Sequence, residues 1–312
     1  MRFIKKETHF DFLKIQKPNI IVSLLVVLAG VAAYFPMGGF NFGIDFRGGT
    51  LVQIRFAEKP DLGQIRSQLN QGGFSGYTIQ TFGDESDHEV LVSLPIAEEV
   101  RLSGPNSSVE DNSMSKQVER HLVKTWPSLT VRRVETVGPK VGSALKYQAL
   151  SAIVFAILAI LAYVWFRFEW RYSVASVVAL LHDVVIVTQL FIFTQKEMTL
   201  SVVAGILTLA GYSINDTIVI MDRIRENVHK HPKQPMYDTI NQSVNQTLSR
   251  TILTSGLTLL VVIALFFFGG EIIHDFAFTL LVGIILGTYS SLYIASPILL
   301  YLTNKYPKTP KK

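Results

Sequence analysis

The chain has 312 residues, 49% of them hydrophobic and only 17% charged, with a mean hydropathy of +0.33. A soluble chain of this length carries more charge, so the composition places it among integral membrane proteins. The net charge of +5 does not point to nucleic acid, because the basic residues cluster beside apolar runs, and the lack of cysteine excludes disulfides and thiolate metal sites.

Residues 1–18 carry Arg2, Lys5, Lys6, Lys14 and Lys17 and read as a cytoplasmic segment. The apolar run Asn19–Pro36 follows. A basic stretch before an apolar run also fits a signal peptide, and Ala32 and Ala33 are small enough to feed a cleavage site. The run is about as long as a bilayer is thick, and the glycine-rich segment behind it looks like a hinge of the mature chain, which favours an uncleaved anchor.

The segment Met37–Ser143 alternates between periods of two and 3.6. Thr50–Phe56, Tyr77–Phe82, His88–Leu94 and Leu129–Val137 read as strands, and Asp61–Gln71 and Ser113–Trp126 as helices, with Asp61 as the cap of the first. The order βαββαβ is that of a ferredoxin-like sandwich. Pro95–Asn112, rich in Ser, Glu and Pro, reads as a mobile excursion.

Five more spans are expected, at Ala144–Phe166, Tyr172–Thr194, Met198–Met221, Thr251–Phe268 and Phe276–Leu302, each near the ~20 residues a bilayer requires. The basic flanks put the amino terminus inside. Alternation then places 37–143 outside, 167–171 inside, 195–197 outside, 222–250 inside, 269–275 outside and the tail 303–312 inside. Within the inner loop, Met236, Ile240, Val244 and Leu248 recur at helical spacing behind Pro235, which predicts an amphipathic helix over Met236–Leu248 at the cytoplasmic interface. The expected fold class is a polytopic α-helical membrane protein with six transmembrane helices and one α+β ferredoxin-like periplasmic domain between helices 1 and 2.

Two ionisable residues on consecutive spans carry the strongest chemical signal. Asp216 lies in the fourth span and Arg250 heads the fifth, both in the inner half of the bilayer. A charge at the bilayer centre costs roughly 2.5–3.5 kcal/mol, so it persists only where it is paired, solvated or used. Opposite signs at matching depth predict a buried ion pair, which serves either ion coupling or, on the structural reading, helix register. Ser213, Asn215 and Thr217 stand ready to satisfy the carboxylate. In the third span His182-Asp183 lies near mid-membrane. No further ligands accompany it as a metal site requires, so Asp183 is expected to face other helices, of this chain or of a partner.

Between the first span and the outer domain runs GGFNFGIDFRGGT, where Gly43, Asp45, Arg47, Gly48 and Gly49 form a glycine-rich connection. Asp45 and Arg47 share one side of an extended chain. The segment reads either as a coupling hinge or as a connection with two solvated charges; VGPKVG at Val137–Gly142 is its counterpart at the exit. No Walker A loop, nucleophile elbow or HExxH is present, so nothing points to an enzyme, a cofactor or a metal.

Several segments together resemble the SecF members of the SecD/SecF family, within the resistance-nodulation-division superfamily. They are GIDFRGGT (Gly43–Thr50), GPKVG (Gly138–Gly142), His182-Asp183, GYSINDTIVIMDRIREN (Gly211–Asn227), SRTILTS (Ser249–Ser255) and GTYSSLYIASP (Gly287–Pro297). The likeness runs over essentially the whole chain, with Met221 standing where the family usually has an aromatic or aliphatic residue. It implies a non-enzymatic subunit of the bacterial inner membrane, similar to half of such a transporter and paired with SecD. With SecD and YajC such a subunit assists export of preproteins through the SecYEG channel, alongside SecA and often YidC. It uses the ion-motive force at a late, ATP-independent stage. Asp216 and Arg250 match the family's ion-coupling residues, while the principal proton-carrying aspartate lies on SecD. The alternative is half of a small-molecule or lipid exporter of the same superfamily; a passive assembly scaffold is a further reading.

Overall fold

The structure, a computed structural model, describes residues 8–83, 85–95 and 114–306, in two compact units. The expected excursion at Pro95–Asn112 lies, beyond Pro95 itself, outside the described residues, as do Arg2, Lys5, Lys6, Lys308, Lys311 and Lys312.

One unit comprises residues 42–151 with 197–200. Its sheet contains β1 (Gly49–Arg55), β2 (Thr78–Phe82), β3 (Glu89–Pro95) and β4 (Thr130–Val137), in the order β2-β3-β1-β4 with every neighbouring pair antiparallel. Alternation puts Val52, Ile54, Val90, Val92 and Leu94 on one face. There they share a buried core with Ile65 and Leu69 of α3 (Leu62–Gln71) and Val118 and Leu122 of α4 (Met114–Val123). Both helices therefore cover the same face, and the unit is the βαββαβ sandwich that the alternating periods predict. Asp61 caps α3 as expected, its carboxylate accepting from Gly63 N–H at 2.7 Å. The entry and exit of this unit touch: a Cβ at Gly142 would lie 3.0 Å from Gly48 N.

Among the described residues, six helices are long and apolar enough to cross a membrane: Phe12–Tyr34, Pro139–Arg167, Trp170–Thr194, Leu200–Lys230, Met236–Phe268 and Ile272–Lys305. Their helical parts are α1 (Gln16–Tyr34), α5 (Pro139–Arg167), α6 (Trp170–Thr194), α7 (Leu200–Lys230), α8 (Met236–Phe268) and, in the last, α9 (Glu271–Ser290) and α10 (Ser296–Lys305). A π-helical turn, Ser291–Ala295, joins α9 to α10.

Two expectations for the inner loop are corrected. The long connection 222–250 shrinks to the turn 231–235, because α7 runs on to Lys230 and α8 begins at Met236. The amphipathic stretch Met236–Leu248 is not a separate interfacial helix either; it is the first part of α8. Ile240, Val244 and Leu248 lie in one buried cluster with Ile220 and Ile224 of α7, so protein covers the apolar face that hydropathy assigned to lipid. Asn227 locks the two extensions together, donating to Ser243 Oγ at 2.8 Å and Gln246 Oε1 at 2.9 Å.

The segment before α1 lies on the same extension. Phe10 and Asn245 exchange two hydrogen bonds, Phe10 N–H to Asn245 Oδ1 at 2.9 Å and Asn245 Nδ2 to Phe10 O at 2.8 Å. Asp11 accepts from Tyr237 Oη and Asn241 Nδ2, each at 2.7 Å. The Tyr237 hydroxyl, helped by Asn241, holds the Asp11 carboxyl below the usual carboxylate range.

α7 and α9 pack in parallel through a row of small residues. Gly205 meets Thr279, Leu209 meets Gly283, Ser213 meets Gly287, and Thr217 bonds Ser291, a step of four residues on both helices each time. Residues four apart share one face of a helix, and small side chains there let backbones approach closely.

Candidate functional site

The row of small residues ends in hydroxyls where the bundle holds its acids. Asp183 is 0% exposed. Its Oδ2 accepts from Ser213 Oγ at 2.6 Å and Ser290 Oγ at 2.7 Å, and its Oδ1 lies 2.9 Å from His182 Nδ1. Asp183 thus faces α7 and α9 of its own chain. One turn further along α7, Asp216 is 4% exposed and accepts from Ser255 Oγ of α8 at 2.8 Å; Thr288 of α9 donates to the same Ser255 oxygen at 3.1 Å. Thr217 and Ser291 share a hydroxyl contact at 2.7 Å between the two carboxylate sites.

The π turn begins where neighbouring side chains turn to different helices. Ser290 reaches Asp183 on α6 and Ser291 reaches Thr217 on α7, with Ser291 O accepting a bond from Ser296 Oγ, five residues on, at 3.1 Å. A π turn inserted in an α-helix is a costly local feature that persists mostly where it re-aims side chains for use.

The direct ion pair expected between Asp216 and Arg250 is not formed among the described residues. Ser255 takes the place beside the carboxylate, and Arg250 is exposed. Helical geometry accounts for this. At 3.6 residues per turn, the five residues from Arg250 to Ser255 rotate the side chain by about 140° away from the acid-facing side of α8. Arg250 instead lines an open cavity of about 1020 Å³ with Arg167, Asp222, Arg223, Arg225 and Glu226. Its neighbours there are largely paired, Arg167 with Asp222 at 3.1 Å and Arg223 with Glu226 at 2.6 Å.

Of the supporting residues, His182, Ser213 and Thr217 join the buried network. Asn215 does not: it is exposed, on the face of α7 that also carries Ala204, Thr208 and Gly211. Ser255, Thr288, Ser290 and Ser291 complete the site without having been singled out. The signal available for them was the spacing of hydroxyls and glycine in otherwise apolar helices, Thr251/Ser255 and Gly287/Ser291, each four apart.

The glycine-rich segment forms a second locus, inside the other unit. Ile44–Arg47 is one helical turn, α2, rather than extended chain, so Asp45 and Arg47 do not share a side. Asp45 Oδ2 accepts from Leu200 N–H at 2.9 Å, at the first residue of α7, while Arg47 is exposed. Gly43 N–H donates to Met198 O at 3.0 Å, and Thr78 Oγ1 to Glu197 Oε1 at 3.2 Å. Gly48 (φ +73°) and Gly49 (φ +143°) take conformations that side chains avoid, and a Cβ at Gly49 would strike Leu94 O.

Buried carboxylates satisfied by hydroxyls between membrane-crossing helices, together with a small ferredoxin-like domain, define a polytopic membrane protein with an intramembrane polar site of the kind expected for transport. Residues 117–305 match the family described as Protein export membrane protein SecD/SecF, C-terminal, and residues 35–59 match the SecD/SecF GG Motif. Proteins named Protein translocase subunit SecF from Desulfurispirillum indicum and Magnetococcus marinus are 46% and 44% identical, over 96% and 97% of this chain and 93% and 94% of theirs. Among solved structures, SecDF from Thermus thermophilus superposes with a TM-score of 0.83 at 36% identity, covering 96% of this chain and 39% of that longer one. SecDF in a super-membrane-facing form matches with a TM-score of 0.69 at 37% identity over the same shares. The chain belongs to the SecD/SecF family of protein export membrane proteins.

Proposed function

We propose that the chain is the SecF-type subunit of the Sec accessory complex of a bacterial inner membrane. It pairs with a SecD-type chain and uses the ion-motive force to promote a late stage of protein export. The observation that carries this reading is the pair of buried acids, Asp183 and Asp216, held by hydroxyls of three different helices in a chain whose relatives are named translocase subunits. The chain matches 39% of the SecDF chain it resembles, which supports a SecD-type chain as its partner. YajC, SecYEG, SecA and YidC are the further partners of this reading.

In this account the termini and the turn 231–235 are cytoplasmic, and the ferredoxin-like domain is periplasmic. The cavity lined by Arg250 then opens to the cytoplasm, and Asp216 lies between it and the bundle interior. A charge falling through 100 mV releases about 2.3 kcal/mol, enough to shift a two-state equilibrium several tens-fold. Ser255, Thr288 and the π turn would rearrange as Asp216 exchanges its ion. Translation to a pull on substrate is assigned to the periplasmic domains. No covalent chemistry, cofactor or metal is invoked.

The test is export of a preprotein into inverted membrane vesicles containing the chain and its SecD-type partner. Collapse of the ion gradient by ionophore after ATP-driven insertion should arrest the late increment of translocation, and vesicles lacking the chain should lack that increment. An ionophore-insensitive increment that requires the chain would contradict the reading.

A further inference from the structure

We infer that His182 and Asp183 form a second proton-binding site in the bundle, with His182 Nε2 as the atom through which the proton enters and leaves. The inference rests on the ion-driven reading for its purpose, but its chemistry stands on the geometry.

Asp183 Oδ2 accepts two serine hydroxyls, so Oδ1 is the oxygen left to take a proton. Oδ1 is left to His182 Nδ1 at 2.9 Å. Among the described residues no lysine or arginine forms an ion pair with Asp183, so its charge has no fixed counter-ion in an apolar surrounding. The other elements offer none. α1 presents Asn19 and Ser23, both engaged with Tyr289. α7 presents Tyr212 and Asp216; α9 presents Tyr289, whose ring lies 6.3 Å from that of His182, and the π turn adds Tyr293 behind it. The titratable groups of α10, Tyr301 and Lys305, bond each other at 3.1 Å. The fixed cation of α8, Arg250, lines the open cavity.

A second observation marks the route. The His182 side chain is 9% exposed, and its Nε2 is buried with no hydrogen-bond partner among the described residues. With Nδ1–H donating its hydrogen bond to the carboxylate, Nε2 is a bare lone pair, the tautomer that a neighbouring acid selects. A proton arriving at Nε2 forms the N–H bond there. The Nδ1–H bond then breaks as its proton passes to Asp183 Oδ1. The ring ends neutral with its proton on Nε2, the carboxyl is neutral, and the site has gone from −1 to 0. Release runs the same steps backwards. Ser213, which holds Asp183, lies one turn of α7 from Asp216, so the two acids meet α7 on adjacent turns.

Infrared difference spectroscopy on the complex of the chain with its SecD-type partner in lipid membranes tests this. The readout is the carboxylic C=O band during a pH titration and its shift in D₂O. A titrating band should survive in Asp216→Asn and be lost in Asp183→Asn. His182→Gln keeps an amide N–H for Oδ1 but has no relay atom, and deuterium exchange of the acid should slow about a hundredfold. A band that persists in Asp183→Asn and vanishes in Asp216→Asn would overturn the inference. Should Asp183→Asn fail to assemble, unchanged exchange in His182→Gln overturns it equally. None of these readouts needs export, so failure here is distinguishable from failure of the ion-driven reading.

Discussion

Gly283→Leu is expected to lower both the yield of folded chain and its melting temperature, whatever its effect on coupling. A Cβ at Gly283 would come within 2.8 Å of Leu209 Cδ2 and closer still to Cδ1. Leu209 cannot swing aside, because it is fully buried in a cluster with Val187, Val262, Leu280 and Ile284. Overpacking of this kind costs about 1–3 kcal/mol and sometimes more, and here it would also displace Ser213 and Gly287 one turn away, where the hydroxyls meet Asp183. The yield of folded chain in mild detergent and its thermal unfolding are the measurements. Gly211→Ala is the control, since that position has nothing within 4 Å of a Cβ. Equal yield and melting for both variants would show that α7 and α9 do not pack along this row.

The largest functional effects are expected at Asp216 and Arg250, and the two should behave differently from the halves of a buried ion pair. Asp216→Asn keeps the shape and an oxygen for the Ser255 hydroxyl, but it cannot change charge. It should assemble normally and lose the ion-motive-force-dependent part of export, with ATP-driven translocation intact. Breaking a buried pair by removing one partner costs about 3–5 kcal/mol. Arg250 is exposed, so Arg250→Met should assemble at wild-type levels and yet lose the same export increment, because the fixed cation lining the open cavity has gone. Comparing assembly with export in both variants makes the test. Normal export from both would leave these residues without a role in coupling.

The parts of the fold legible in the sequence were those written by one local rule. Strand alternation fixed the core face of β1 and β3, and apolar length marked the six crossing helices. Where two rules competed, the reading failed. Hydropathy falls after Met221, which suggested a loop, yet the periodicity of Ile220, Ile224, Ile240 and Val244 continues, and mutual packing of α7 and α8 prevailed. Glycines at Gly43, Gly48 and Gly49 suggested extended chain, but the four residues between them close one helical turn. At the site, Asp183 and Asp216 were conspicuous because charges are rare in apolar helices. Ser255, Ser290 and Ser291 were not, because serine and threonine recur throughout these spans, and only the registers of α8 against α7 and of α9 against α6 and α7 decide that Ser255 meets Asp216, Ser290 meets Asp183 and Ser291 meets Thr217. The facing of Arg250 depended on a rotation that depth alone does not supply.

The central claim is that an ion passes through the bundle by way of Asp216. Its most direct test is ion flux in proteoliposomes holding the chain with its SecD-type partner, driven by an imposed gradient and read with proton- and Na⁺-sensitive dyes. The account predicts a flux of one of these ions that is abolished in Asp216→Asn, with the complex assembled at the wild-type level. Undiminished flux through assembled Asp216→Asn complexes, or no flux of either ion through the wild type, would contradict it.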